Sequence, residues 1–342
     1  MSIYFASGES FDYDLFGTYV SAEIASGANF RSTARCAITA ALNSGILNTS
    51  WLRAGLNASI TSCWITFRGN IATATTEAAY PLITLGKAGT RRLGIFGSGT
   101  NNKLNISKIN AANTVTALAT ETSTYTTSTL YKYDLQIISY GATGTLNLYR
   151  AAADGTGSAL IATYTGDLTT DSETNLNQIF IGGISNFANT YLSEIIVSLN
   201  DTRGMGLVTC EPAANGNAFN FTGSFADIDD TSGAFATIDT DLVTSNANND
   251  LAQVTLITSR IGTPSAIAAV VISHRSRAGA SLPNVTPSLR IAATNYFGTP
   301  VAPPAGFAAN QQVFATNPNT GVPFVYTDLT AVGVNYGLRA NT

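Results

Sequence analysis

The chain has 342 residues, enough for one large or two medium domains with a full core. Charged residues make up 11% of it, against roughly a quarter in ordinary soluble domains, while 45% is hydrophobic; this balance excludes a disordered chain. A net charge of −4 excludes the basic footprint that nucleic-acid binding needs, so no nucleic-acid partner is expected.

In chain order, Ser2–Ala6 reads as a strand, followed by Gly8, by Phe11–Tyr19 and by Arg35–Ala41. Trp51–Leu56 reads as a strand or one helical turn. Ser62–Arg68 is strongly β by content, with Trp64, Thr66 and Arg68 alternating against Ile65 and Phe67. Pro81–Leu85 is an apolar strand. Arg91–Phe96 and Lys103–Ile109 pair across the Gly97–Asn102 turn, and Val115 with Leu118 marks an edge strand. The clearest hairpin is Leu130–Arg150. Tyr131, Tyr133, Leu135 and Ile137 share one face, Lys132, Asp134 and Gln136 the other, and Gly141-Ala142-Thr143-Gly144 supplies the turn. Leu160–Thr165, Gln178–Gly182 and Tyr191–Leu199 follow.

Turn residues Asn200–Gly206 then break the pattern and mark a boundary. Beyond it come Leu207–Cys210, Ala218–Thr222, Ala252–Ile257, Ala266–Ser273, Pro287–Ala292 and Gln311–Ala315. Ala266–Ser273 is apolar enough to be buried on both faces. Asp328–Arg339 reads as a turn of helix leading into a strand. No amphipathic helix of three turns is present, and the longest apolar run, Ala266–Ile272, is far short of the ~20 residues of a membrane helix. The expected fold is therefore all-β, a jelly-roll sandwich over 1–200 followed by a second β-sandwich over 201–342.

Trp64, the Tyr133–Ile138 strand, the Gly144–Arg150 strand, Ile181-Gly182-Gly183 and the closing Ser193–Val197 strand together resemble the laminin-G-like, concanavalin-A-like jelly roll. The second part resembles a domain of structural proteins of tailed bacteriophages, on Asp201-Thr202-Arg203-Gly204-Met205, Thr316–Gly321 and Val332-Gly333-Val334. Phe324 stands near the place where that family has a Trp-Thr pair. The second resemblance implies a virion component, usually in a surface appendage.

Glycan hydrolysis would need two carboxylates across a cleft. Glu9, Asp12, Asp14, Glu23, Glu77, Glu121, Asp134, Asp154, Asp167, Asp171, Glu173 and Glu194 form no such signature, and Glu194 is expected to face solvent. His274 reads as a strand-end surface residue, with no nucleophile elbow in the chain. Arg91-Arg92 and His274–Arg277 read as solvated turns. Cys36, Cys63 and Cys210 read as small buried hydrophobes. Asp227–Gly233 has carboxylates beside glycine but lacks the spacing of a calcium loop, and a solvated acidic turn is favoured. Gly94, Gly97 and Gly99 read as hairpin residues and not as a phosphate loop. Tyr125, Tyr131, Tyr164, Phe187 and Tyr191, with Asn186 and Asn189, are the aromatic and amide groups open to a sugar. They read first as core or cross-strand pairs.

No catalytic, cofactor-binding or metal-binding residue is therefore nominated. The expected role is a non-enzymatic structural protein of a tailed-phage virion, in a tail fibre or spike-type appendage. Capsid decoration and recognition of a host surface glycan are the alternatives. Its partners would be other virion proteins and copies of itself. Met1–Phe5 lacks the features of a signal peptide, so synthesis in the host cytoplasm is expected.

Overall fold

The computed structural model describes residues 3–7, 24–26, 36–39, 52–71, 81–99, 102–181, 190–228, 242–279 and 282–342. The described residues up to Leu207 form one compact unit, and those from Val208 form a second.

The first unit contains β1 (Ile3–Ser7), β2 (Ile24–Ser26), β3 (Cys36–Thr39), β4 (Leu52–Ile60), β5 (Cys63–Ile71), β6 (Pro81–Lys87), β7 (Thr90–Gly97), β8 (Leu104–Ile109) and β9 (Val115–Thr120). It continues with β10 (Leu130–Ile138), β11 (Gly144–Ala152), β12 (Ala159–Gly166), β13 (Leu176–Ile181) and β14 (Thr190–Ser198). One antiparallel sheet runs β12-β11-β10-β5-β14-β3-β2, with β1 added to β14; the other runs β4-β13-β6-β7-β8-β9. The chain crosses repeatedly between the two sheets, which is the jelly-roll solution for strands that each have one apolar face. Ile65, Phe67, Tyr133, Leu135, Leu148 and Val197 of the first sheet are fully buried, as are Ile83, Leu85, Leu93, Ile95, Ile106 and Ile179 of the second. Phe67 and Tyr133, directly paired across strands, stack at 5.3 Å.

The second unit contains β15 (Pro212–Phe219), β16 (Leu251–Leu256), β17 (Val270–Ser276), β18 (Asn284–Ile291), β19 (Thr294–Phe297), β20 (Ala308–Phe314), the short helix α1 (Tyr326–Thr330) and β21 (Asn335–Asn341). A five-stranded sheet, β15-β16-β21-β18-β19, faces the β17-β20 ribbon. Ile272 and Phe314 of the ribbon share one apolar core with Leu289, Ile291 and Tyr336 of the sheet and Leu329 of the helix.

All-β architecture, the edge position of β9 and the Leu130–Arg150 hairpin match the sequence expectation. Several details differ. The left-handed residue of the hairpin turn is Ser139, at φ 59°. Gly144 instead opens β11, where a Cβ would come within 2.4 Å of Leu168 and of the Ser139 carbonyl. It is a close-approach glycine, not a turn glycine.

The Arg91-Arg92 pair is no solvated turn. Both side chains are buried in β7, where burial lowers the Arg91 pKa to about 10 and Arg92 forms ion pairs with Asp171 and Glu173. Residues 207–210 form no strand, and β15 starts at Pro212. Ala266 is exposed, and β17 begins only at Val270, with Ile272, His274 and Ser276 buried and their alternates half-exposed. One-sided burial replaces the expected two-sided strand, because only the ribbon's inner face meets the five-stranded sheet. Phe11–Tyr19 lies outside the described residues.

Candidate functional site

Strand register on the first sheet places residues of β14, β5, β10, β11 and β12 in cross-strand rows on its outer face. One row is Ser198, Trp64, Gln136, Asn147 and Thr163; a second includes Thr66, Asp134 and Tyr149; a third is Ser193, Arg68 and Lys132. Chemically the face divides into a charged region and a neutral one.

The charged region is buried. Arg68 is 1% exposed and its Nε donates to Glu194 Oε2 at 2.7 Å. Glu194 sits in a β14 bulge at φ 51°, which turns its carboxylate toward Arg68. A solvent-facing Glu194 was the expectation, and the bulge overturns it by shifting the alternation of faces. Lys132 Nζ donates to both carboxylate oxygens of Asp134, at 3.0 and 3.1 Å, and to the carbonyls of Thr202 and Arg203 at 2.6 and 2.9 Å. Thr202 Oγ1 donates to Asp134 Oδ1 at 2.7 Å. Desolvation lowers the Lys132 pKa, opposed by the Asp134 charge beside it.

The next residue completes a lid. The Arg203 guanidinium is held by Asp201, with Nη2 to Oδ2 at 2.6 Å, and lies 4.7 Å from the Tyr149 ring centre and 5.2 Å from that of Trp64. Trp64 and Tyr149 themselves stack at 5.7 Å. The Asp201-Thr202-Arg203 segment, with which the sequence reading placed a domain boundary, is thus a clamp on the first sheet. Each buried carboxylate here is matched to its own cation, Glu194 to Arg68 and Asp134 to Lys132.

The neutral region is a hydrogen-bonded ladder. Thr163 Oγ1 donates to Asn147 Oδ1 at 2.7 Å, and Asn147 Nδ2 donates to Gln136 Oε1 at 3.0 Å. Thr145 and Thr165 share a hydroxyl contact at 3.1 Å one row further on. These groups are partly or fully exposed, as are Ile138 and Leu160 beside them. Nothing in residue spacing alone marked this ladder, because it joins three strands through their pairing.

Of the aromatic groups open to a sugar, Tyr125 is buried. Tyr131 is half-buried under the Arg150 guanidinium, 5.2 Å from its ring centre, and Tyr164 is half-buried on β12. Phe187, Asn186, Asn189 and the Tyr191 side chain lie outside the described residues, as do Glu9, Asp12, Asp14, Glu23 and Glu77. Asp154 and Asp167 are exposed and cap their own turns by accepting from Thr156 and Thr169. Glu173 pairs with Lys87 at 3.0 Å.

Two buried titratable groups stand apart from the clamp. Glu121, at the end of β9, accepts from Arg150 at 3.2 Å, and burial raises its pKa to about 7. His274 is a buried residue, not the surface residue expected. Its ring lies on the inner face of β17, neither nitrogen has a hydrogen-bond partner among the described residues, and burial lowers its pKa to about 4. Cys63 is buried and Cys210 half-buried. Asp227 accepts from the Ser224 amide at 2.7 Å; residues 229–233 of its acidic turn lie outside the described residues. Among the described residues no group of three or more His, Cys, Asp or Glu side chains is placed to hold a metal, and no helix is long and apolar enough to cross a membrane.

No protein-family model matches the sequence. No curated protein matches it. Solved structures with a similar course include the T. cruzi calreticulin globular domain, at 12% identity and TM-score 0.36, covering 59% of this chain and 89% of that one. Peanut lectin with a 9mer peptide matches at 10% identity and TM-score 0.33, over 60% of this chain and 92% of that one. The receptor binding domain of botulinum neurotoxin mosaic serotype C/D matches at 11% identity and TM-score 0.34, over 88% of this chain and 74% of that one. Likenesses of this extent carry no argument about what the chain does.

Proposed function

We propose that the chain is a non-enzymatic structural component of a tailed-phage particle, working in a surface appendage after synthesis in the host bacterial cytoplasm. One observation carries this reading. In a chain with only 11% charged residues, Arg68, Arg91, Arg92, Glu121, Lys132, Asp134 and Glu194 are all buried. The outside is therefore more neutral than the composition alone implies. Such a surface suits subunits held by neighbours, since an isolated soluble protein relies on net charge to resist association. The phage-type motifs at Asp201–Met205 and Thr316–Gly321 support the same reading. Antibody labelling of intact particles, with copies counted by quantitative mass spectrometry, tests it. A copy number in tail symmetry is expected, capsid-lattice numbers would make it a decoration protein, and absence from particles would overturn the proposal.

A second reading has its own observation. The Gln136–Asn147–Thr163 ladder presents neutral donors and acceptors on an exposed sheet face, the chemistry that recognises a polyhydroxylated glycan on a host surface. Saturable binding of purified host polysaccharide, lost in Asn147→Ala and Gln136→Ala, would support it. Equal retention by both variants would exclude this face.

A further inference from the structure

The amide ladder of the first sheet ends beside a cation whose position is fixed. Gln136 pairs across strands with Trp64, and Tyr149 stands two residues from Asn147 on the same face of β11. Cross-strand neighbours lie about 5 Å apart and same-face neighbours about 7 Å apart along a strand. The Arg203 guanidinium covers Trp64 and Tyr149, at 5.2 and 4.7 Å from their ring centres. It therefore stands next to the Gln136–Asn147 pair, within reach of one saccharide lying there. Its Nε donates to both carboxylate oxygens of Asp201, each at 3.0 Å, and its Nη2 to Oδ2 at 2.6 Å. Asp201 thus takes one edge of the fork and the two rings fix its plane. Nη1 has no acceptor among the described residues, on a side chain that is 41% exposed. The ladder is likewise only partly committed. Asn147 donates once, to Gln136, which leaves its second Nδ2 hydrogen and both Nε2 hydrogens of Gln136 without an acceptor among the described residues.

We propose that the saccharide taken by this face is an acidic one, a uronate whose carboxylate meets the Nη1 side of Arg203 while its hydroxyls engage Gln136 and Asn147. The inference rests on the glycan reading of the ladder and adds the charge class of the ligand. A guanidinium fork matches a carboxylate in both shape and charge. An arginine already oriented by a carboxylate and two rings also loses little further side-chain freedom on binding. No other charged side chain belongs to the ladder, whose members are Gln136, Asn147, Thr145, Thr163 and Thr165. Recognition of the ring and recognition of its charge therefore fall on different residues, and each can be removed without the other.

Calorimetric titration of the full chain with oligomers of glucuronate, galacturonate and mannuronate, each as the free acid and as its methyl ester, tests this. At least one acid is expected to bind saturably and about tenfold more tightly than its own ester, which keeps the ring and removes the charge. Arg203→Gln is expected to abolish that preference with an unchanged far-UV spectrum, since the Lys132 contact uses the Arg203 carbonyl and survives the substitution. Asn147→Ala is expected to weaken acid and ester alike. An ester bound as tightly as its acid overturns the inference and leaves the glycan reading standing, as does a protein that binds purified host polysaccharide and none of these oligomers. Binding of neither the oligomers nor the polysaccharide overturns both. A preference for acid that persists in Arg203→Gln also overturns the inference, because the charge would then be read elsewhere.

Discussion

Thr202 donates its hydroxyl hydrogen bond to Asp134 at 2.7 Å, across 68 residues of chain. Asp134 lies at the centre of the first sheet and Thr202 on the segment that leaves it, so this contact fastens the exit of the chain to the middle of the sandwich. Thr202→Val removes the donor and keeps the shape. A hydrogen bond to a buried charge is worth about 1.5–3 kcal/mol, and a loss of that size is expected in urea unfolding, with Thr202→Ser retaining most of the stability. A Thr202→Val protein as stable as wild type would show that the clamp does not hold.

Lys132 serves the same clamp from the opposite sign. Removing one partner of a buried ion pair costs about 3–5 kcal/mol because the other is left uncompensated, whereas replacing both is often neutral. Lys132→Met is therefore expected to be severely destabilised, and Lys132→Met with Asp134→Leu to recover most of the loss. A double variant no better than the single would mean that the Thr202 and Arg203 carbonyls, not Asp134, set the cost.

The buried His274 makes stability depend on acid. Its pKa falls from the ordinary 6.5 to about 4 on folding, so between those values the unfolded chain binds the extra proton. Stability is thus full above pH 6.5 and is lost as pH falls toward 4. At roughly 1.4 kcal/mol per pH unit the span is on the order of 3 kcal/mol. His274→Leu, which fits the apolar side of β17, is expected to flatten this slope. An unchanged slope in unfolding midpoints between pH 4.5 and 7 would count against the assignment.

Glu121 acts with the opposite sign. Its pKa rises from 4.5 to about 7, chiefly by burial, so the folded chain holds the proton longer. Its contribution is full below pH 4.5 and is lost as pH rises through 7. Glu121→Gln keeps the shape, while Arg150 keeps Ser123 and the Thr124 carbonyl. The variant is expected to gain stability over wild type at pH 8 and to gain none at pH 4. Calorimetric melting at the two pH values decides it.

Gly94, in the middle of β7, tests the tightness of the second sheet. A Cβ there would come within 2.2 Å of the Ile83 carbonyl on the neighbouring strand. Overpacking of this kind costs about 1–3 kcal/mol and sometimes more, so Gly94→Ala is expected at the upper end, read as a fall in thermal midpoint.

Strand positions were legible because alternation is a local signal. Tyr133, Leu135 and Ile137 point inward as their spacing implies, and Leu146 with Leu148 answers them across the hairpin. The polar side of the same alternation misled. Lys132 and Asp134 occupy outward positions and are nevertheless buried, because residues 201–203 return over them and no local pattern reports a lid, while Glu194 reaches buried Arg68 through a bulge that shifts its strand's alternation. His274 was misplaced for a related reason: a polar residue ending an apolar run reads as a strand end, while β17 continues through it to Ser276.

By itself the sequence determined the β-fold and the near-neutral surface, since side-chain period and composition act residue by residue. Tertiary structure decided where the few charges went. Burying a charge takes an opposite charge and hydrogen-bonding partners. Asp134 has its cation two residues away in Lys132, but the Thr202 hydroxyl that completes its shell and the Glu194 carboxylate that meets Arg68 come from positions 68 and 126 residues away in the chain.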